Sequence, residues 1–342
     1  MSKSCVFRAD ANSTIGTGHY MRSLSLAISW RDSGQRACMA GDAPESLVDR
    51  ARSAGIEHFS IAPTSNDVDR DEVLAVGDKV AADVVCVDGY QFDPDYIGLV
   101  RESGRPIVEF SDGLIWSDYQ SDLLLDQNLG AESRQYVCAP WTKQLLGVRY
   151  ACLAPQFSRQ ADSIVTTPET VENILVSLGG ADPKGVTSFV LSTLFELVNR
   201  PRIVVLVGAS NPRVQSIVDL VGERENVEIV RDSQNVSALM EDSDLAIAAA
   251  GSTSWELAAM GVPALLVTIA DNQIEIASKL DEAGVAINLG PFEGLSGERL
   301  FTILTEVIQD SGRRGGMSRK GRELVDGGGA SRVVDEMLRS IR

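Results

Sequence analysis

Histidine is scarce in this chain: His19 and His58 are the only two in 342 residues. The five cysteines, Cys5, Cys38, Cys86, Cys138 and Cys152, contain no Cys-x-x-Cys pair. The ligand spacing of a zinc site is therefore missing, and no metal is expected. An odd, widely spaced set of thiols also speaks against a disulfide frame and for a reducing compartment, so a cytoplasmic protein is expected. No run of about 18 apolar residues occurs, which excludes a membrane-spanning helix. The N-terminus has no basic and apolar leader, so no signal peptide is expected. Positive charge is in deficit: 31 Lys and Arg stand against 48 Asp and Glu, a net charge of −17. Such a surface repels phosphate backbones, and nucleic acid is not an expected partner. A small phosphorylated ligand stays compatible, because backbone amides and helix ends bind phosphate locally. No Gly-Lys-Ser/Thr completes a P-loop, and no Gly-x-Gly-x-x-Gly supports a nicotinamide site.

What is present centres on the stretch from Phe7 to Leu24. A short apolar strand, Cys5 to Phe7, passes through a polar loop with Gly16 and Gly18 into a helical pattern carried by Leu24, Ala27 and Ile28. Glycines let backbone approach a ligand closely. His19 falls at the start of that helix, where unpaired amides favour anions. It also lies beyond the carboxyl end of a first strand, where open α/β sheets bind ligands.

Strand and helix patterns then alternate along the whole chain, which predicts α/β architecture with mostly parallel sheets covered on both faces. Val84 to Asp88, Pro106 to Phe110 and Leu123 to Leu125 are strands ending in Asp88-Gly89-Tyr90, Ser111-Asp112-Gly113 and Asp126-Gln127-Asn128. The stretch from Gln156 to Pro168 has weak periodicity and carries Ser, Thr, Asp and Pro, which places a boundary between domains 1–155 and 156–342. The second half repeats the pattern as a second doubly wound, Rossmann-like domain. Its strand from Asn173 to Leu178 runs into Gly179-Gly180, and Leu245 to Ala249 runs into Gly251-Ser252-Thr253-Ser254, with a helix predicted from Trp255 to Met260.

Either glycine turn can hold a diphosphate through backbone amides, and the Ser252 and Thr253 hydroxyls add donors at the second. Tight packing explains such turns equally well. Glu256 is expected in the first turn of the following helix, where the dipole stabilises a carboxylate and ribose hydroxyls are possible partners. A histidine in the first domain suits general-base activation of water, or the positioning of a substrate hydroxyl.

Five ordered motifs together give a resemblance. They are Arg8-Ala9-Asp10 with Ile15-Gly16-Thr17-Gly18-His19 and Arg22; Leu123 to Asn128; Leu146 to Tyr150; Ser177 to Pro183; and Gly251 to Leu257 with Ala270-Asp271-Asn272-Gln273. In these the chain resembles the UDP-2,4-diacetamido-2,4,6-trideoxy-β-L-altropyranose hydrolases of pseudaminic acid synthesis, which are related to MurG-type GT-B glycosyltransferases. The resemblance implies a GT-B fold, with two doubly wound domains facing across a cleft and a last helix that crosses back to the first domain. It implies a UDP-sugar substrate, no cofactor, and hydrolysis without a metal, water attacking the anomeric carbon with inversion. His19 matches the proposed general base. Ser13 to Gly18 would shape the pocket, with Asp10 and Arg22 in the same motif. Tyr90 matches a tyrosine of the sugar pocket, Asn272 a polar residue near the acetamido sugar, and Glu256 the ribose-binding carboxylate; Gln273, in the same motif as Asn272, is a further candidate for binding substrate. Gly251 and Ser252 would hold the diphosphate. The family often has histidine where this chain has Gly89, and many members have aspartate where it has Ser111.

Three rivals stay open. A glycosyltransferase would pass the sugar to an acceptor; the acidic chain shows no basic or apolar patch for a membrane-bound one. A hydrolysing 2-epimerase would be expected to use more carboxylates around carbon 2. A non-catalytic nucleotide-sugar binding protein would need the glycine turns and Glu256 but not His19.

Overall fold

The computed structural model describes residues 2–12, 15–62, 64–113, 115–158, 167–180, 182, 184–208, 211–233 and 235–341. The chain divides into two compact units, Met1–Ser158 with Gly327–Arg342, and Arg159–Asp326. The sequence-based boundary lies three residues before the first break, and the C-terminal helix Gly329–Ser340 is part of the first unit.

Unit 1 is a seven-stranded parallel sheet, β1 (Ser4–Ala9), β2 (Arg36–Gly41), β3 (Glu57–Ser60), β4 (Val84–Asp88), β5 (Ile107–Phe110), β6 (Leu123–Asp126) and β7 (Lys143–Leu146), in the order 3-2-1-4-5-6-7. Helices α1 (Gly18–Asp32), α2 (Glu45–Ser53), α3 (Asn66–Lys79) and α4 (Pro94–Arg101) cover it. The central strands are short apolar runs such as Val84-Val85-Cys86-Val87, buried on both faces as a doubly wound sheet requires. On one face Tyr20, Leu24, Ala27 and Trp30 of α1 pack with Phe7, Cys86 and Val108 of the sheet and with Val333, Val334 and Met337 of the C-terminal helix. That helix comes close because residue 329 is glycine: a β-carbon there would stand 2.3 Å from the Ala151 carbonyl oxygen.

Unit 2 is a six-stranded parallel sheet, β8 (Asn173–Ser177), β9 (Arg202–Val207), β10 (Val227–Arg231), β11 (Leu245–Ala249), β12 (Ala264–Thr268) and β13 (Ala286–Pro291), in the order 10-9-8-11-12-13. Its helices are α5 (Val186–Leu194), α6 (Val214–Val221), α7 (Val236–Glu241), α8 (Ser252–Met260), α9 (Ile274–Glu282), α10 (Gly297–Gln309) and α11 (Ser311–Leu324). Sequence patterning anticipates all of these except β13 and α11. Helix α11 hides from hydropathy because it buries a guanidinium rather than an apolar stripe. Arg314 is fully buried and donates to the carbonyls of Val307 and Ile308, at the end of α10, and to those of Pro168 and Glu169. Among the described residues no helix is long and apolar enough to cross a membrane.

In each sheet the strand order reverses once, between β1 and β4 in unit 1 and between β8 and β11 in unit 2. Crevices at the carboxyl ends of such strand pairs are where doubly wound sheets take ligands. The Gly16–His19 loop follows β1, and the Gly251 turn follows β11.

Candidate active site

The loop after β1 is closed on itself before α1 begins. Asn12 and Gly16 exchange backbone hydrogen bonds of 3.3 and 2.9 Å, and the Asn12 side chain accepts from the Ile15 amide at 2.9 Å. Gly16 has φ +78°, a left-handed conformation that favours glycine. Ser13 lies outside the described residues. Among the described residues no heavy atom outside the adjacent backbone lies within 4 Å of where a β-carbon would stand on Gly16 or Gly18, so packing against those residues does not demand their small size. Helix α1 opens at Gly18 with no side-chain cap, whereas Asp93, Ser296 and Asp310 cap α4, α10 and α11.

His19, Arg22 and Ser23 are one turn apart on α1 and all reach the same carboxylate. Asp88 ends β4, paired in register with Ala9 at the end of β1, and is fully buried. Its Oδ1 lies 2.6 Å from His19 Nδ1 and accepts from Arg22 Nη2 at 2.7 Å. Its Oδ2 accepts from Arg22 Nε at 2.6 Å and from the Ser23 hydroxyl at 3.1 Å. Burial works to raise the Asp88 pKa, yet the Arg22 charge, the His19 contact and the hydrogen bonds from both together hold the carboxyl below its ordinary range. An ionised carboxylate only accepts, so the proton between His19 and Asp88 belongs to Nδ1. Arg22 Nη2, 3.1 Å from the same Nδ1, is then a close neighbour and not a donor to it. The Nε2 lone pair is left to take a proton, which is the tautomer a general base requires.

Arg22 also faces Asp112, donating from Nη1 to Oδ1 at 2.6 Å and from Nη2 to Oδ2 at 3.0 Å. Its guanidinium carbon lies 4.9 Å from the Phe110 ring centroid. Burial opposes ionisation of Asp112 too, and the charge and hydrogen bonds of Arg22, with His19 and the Tyr90 hydroxyl, together lower its pKa. Tyr90 donates its hydroxyl to Asp112 at 2.9 Å and sets its ring edge-on to His19, with centroids 4.6 Å apart. The amide of Asn128 links Asp112, at 3.2 Å, to buried Asp126, at 2.9 Å. Asp126 further accepts from Arg134 and from the Tyr136 hydroxyl. Here burial wins, and the Asp126 pKa is raised.

Asp10 serves the same neighbourhood from behind. It pairs with Arg8 and accepts from the Asp42 amide and the Gln91 side chain, each at 2.8 Å. Gln91 belongs to the loop that carries Tyr90. A β-carbon on Gly89 would stand 2.5 Å from Gln91 Oε1 and 2.9 Å from the Phe92 ring, so a larger residue there displaces that tie.

In unit 2, α8 begins at Ser252, three residues earlier than its pattern predicts, because Gly251 is already extended and Ser252 helical. Glu256 is therefore the fifth helical residue, past the first turn, and half-buried. No side chain caps this helix either. Gln273 accepts from the Ile269 amide through Oε1 at 2.9 Å, and its Nε2 lies 3.9 Å from where a β-carbon would stand on Gly251. Asn272, beside it, is exposed. Gly179 has φ +84°, and the Gly180 backbone packs against Gly208, whose β-carbon would stand 2.2 Å from the Gly180 carbonyl oxygen. Asp182 fills the start of α5, accepting from the Val186 and Thr187 amides at 2.8 and 3.0 Å, so those two amides are already engaged.

The structure thus brings His19, Arg22 and Tyr90 together in unit 1, with Asp10 behind them, and Gly251, Ser252, Thr253 and Gln273 together in unit 2. Asp10 and Arg22, expected near substrate, have their polar atoms engaged with the chain's own side chains. Asp88, Asp112, Asp126 and Asn128 were outside the expected site set. Their signal is that each lies at or just beyond the carboxyl end of β4, β5 or β6. Among the described residues no three His, Cys, Asp or Glu side chains are grouped to ligate a metal.

Residues 173–327 match the glycosyltransferase family 28 C-terminal domain, a stretch within unit 2 but for its last residue. The chain is 27% identical over 240 residues to the spore coat polysaccharide biosynthesis protein SpsG of Bacillus subtilis strain 168, covering 70% of this chain and 68% of that one. It is 24% identical over 285 residues to the UDP-2,4-diacetamido-2,4,6-trideoxy-β-L-altropyranose hydrolase of Campylobacter jejuni, covering 82% of this chain and 97% of that one. The resemblance carried by the five motifs therefore extends along most of the hydrolase. Among solved structures, Acinetobacter baumannii MurG superposes with a TM-score of 0.65 at 16% identity, covering 98% of this chain and 99% of that one. The fold is the α/β, two-domain GT-B type.

Proposed function

We propose that this chain hydrolyses a UDP-activated sugar. Nε2 of His19 takes a proton from water as the water oxygen bonds to the anomeric carbon. The bond from that carbon to the diphosphate oxygen breaks, its electron pair leaves with UDP, and configuration inverts. Asp88 stabilises the imidazolium so formed, as a buried carboxylate does behind a catalytic histidine. Diphosphate is a good leaving group and needs only amide or hydroxyl contacts, which the Gly251-Ser252-Thr253 turn can supply. Glu256 would receive the ribose hydroxyls, and Asn272 and Gln273 would meet sugar or phosphate.

The observation that carries this reading is the His19–Asp88 pair: an acceptor-only carboxylate fixes Nδ1 as donor and leaves Nε2 basic. The likeness to the Campylobacter hydrolase supports the finer substrate, UDP-2,4-diacetamido-2,4,6-trideoxy-β-L-altropyranose, and with it a step in pseudaminic acid synthesis. The match to a glycosyltransferase domain favours one second reading, transfer to an acceptor hydroxyl in place of water.

Proton NMR of the protein with that UDP-sugar and EDTA decides between them. UDP and free sugar, with the inverted anomer appearing first, support hydrolysis. Turnover only when an acceptor is added supports transfer. UDP binding with no turnover in either case removes the catalytic reading.

A further inference from the structure

The side chains around His19 form a closed circuit. His19 pairs with Asp88, Asp88 with Arg22, Arg22 with Asp112, Asp112 with Tyr90, and the Tyr90 ring returns edge-on to His19. Arg22 is the rigid part. One edge of its planar guanidinium, Nε and Nη2, serves Asp88; the other, Nη1 and Nη2, serves Asp112. The two carboxylates are thereby held at a fixed separation. The imidazole is gripped from two directions, through Nδ1 by Asp88 and across its ring by Tyr90.

Charge makes the far carboxylate necessary. Arg22 Nη2 approaches His19 Nδ1 to 3.1 Å, so an imidazolium there faces a cation at contact distance. One carboxylate cannot balance two cations. With Asp88 and Asp112 both ionised, the cluster is neutral when His19 carries two protons; with Asp112 removed it is positive, in a buried site where that imbalance is costly.

We infer that Asp112 is a positioning residue for His19, acting through Arg22 and through the Tyr90 hydroxyl without touching the imidazole itself. The inference deepens the hydrolase reading and rests on it for its catalytic consequence, but its structural content is measurable without substrate. The full chain has only two imidazoles, so a His58→Gln background isolates the His19 signals in a nitrogen-15 spectrum. Asp112→Asn is expected to shift the His19 ring signals and to broaden or abolish its low-field Nδ1 proton signal. Tyr90→Phe, at a position 40% exposed where loss of a hydroxyl leaves no enclosed void, is expected to shift the same ring signals in a fully folded protein. On turnover, Asp112→Asn is expected to lower kcat by about 100-fold with a much smaller change in KM, the size expected when a catalytic group is misplaced.

His19 signals that superimpose on wild type in folded Tyr90→Phe and Asp112→Asn proteins overturn the inference; should Asp112→Asn not fold, Tyr90→Phe decides alone. Shifted His19 signals in a protein whose wild type does not turn over UDP-sugar keep the positioning role and remove the hydrolase reading. Wild-type turnover with unmoved signals does the reverse.

Discussion

Asp88 Oδ1 and His19 Nδ1 are 2.6 Å apart although 69 residues separate them in sequence. The contact exists because β1 and β4 are neighbours in the sheet while the chain between them builds β2 and β3 on the other side. Asp88→Asn turns an acceptor-only group into one that can present its NH2 to Nδ1, which favours the wrong tautomer. Turnover of a UDP-sugar is expected to fall by roughly 10² to 10⁴. His19→Gln is expected to fall at least as far, with UDP affinity kept within about threefold, because UDP is assigned to unit 2. Parallel loss of UDP binding in His19→Gln would remove that division of labour.

Glu109 predicts a pH dependence of stability unrelated to the site. It lies on β5, 4% exposed, with Oε2 buried and without a hydrogen-bond partner among the described residues. Burial, opposed by the Ser121 hydroxyl and aided by the nearby charge of Asp118, pushes its pKa up to about 7. A carboxyl whose folded pKa is raised contributes stability below its unfolded value, near 4.5, and that contribution is lost as pH rises through about 7. The difference between pH 5 and pH 8 is on the order of 3 kcal/mol. Glu109→Gln is therefore expected to unfold at nearly the same temperature at both pH values, while wild type loses several degrees at pH 8. Equal losses in both proteins would falsify the assignment to Glu109.

Much of this architecture is legible in the sequence because each central strand is a short β-branched or leucine-rich run, and its end is marked by Asp, Gly or Asn. Val84 to Asp88 and Leu245 to Ala249 carry that pattern. Helix α11 does not: Gly312, Gly315, Gly316 and Gly321 depress its helical signal, and its anchor is buried Arg314. His19 was visible because it is one of two histidines and follows two glycines. Asp88, Asp112 and Asp126 stand out in the sequence as the polar ends of their strands, but which of them meet His19 follows only from the strand order 1-4-5-6. The family resemblance likewise points to Asp10 and Arg22 without distinguishing a ligand contact from a support. Both are spoken for by buried ion pairs.

Two glycines with opposite surroundings separate packing from ligand space. Gly18 opens α1 with no described residue beyond its chain neighbours within 4 Å of a would-be β-carbon, whereas the same atom on Gly208 would stand 2.2 Å from the Gly180 carbonyl oxygen. Gly18→Ala is expected to leave thermal stability unchanged or raise it by up to about 1 kcal/mol, while lowering kcat/KM. Gly208→Ala is expected to destabilise by about 1 to 3 kcal/mol, because backbone atoms must move. Calorimetry and kinetics on both variants check the contrast, and unchanged kcat/KM in Gly18→Ala would mean that substrate does not use the space beside that glycine.

The UDP assignment to unit 2 is tested most directly by equilibrium binding of UDP alone, which needs neither sugar nor catalysis. Gln273 is held by the Ile269 amide so that its NH2 group is turned toward the Gly251 turn, at the open start of α8. Gln273→Ala removes one donor there and is expected to weaken UDP about tenfold, the low end for one hydrogen bond to a charged group, roughly 1.5 kcal/mol. Glu256→Gln removes a charged acceptor for the ribose hydroxyls and is expected to cost more, about 10 to 100-fold. The ordering matters as much as the sizes. If uridine binding falls with Glu256→Gln but not with Gln273→Ala, while UDP binding falls with both, the carboxylate meets the nucleoside and the amide meets the diphosphate. If UDP affinity is untouched in both variants, the nucleotide is not held at the carboxyl ends of β11 and β12, and the glycine turn after β11 exists for packing alone.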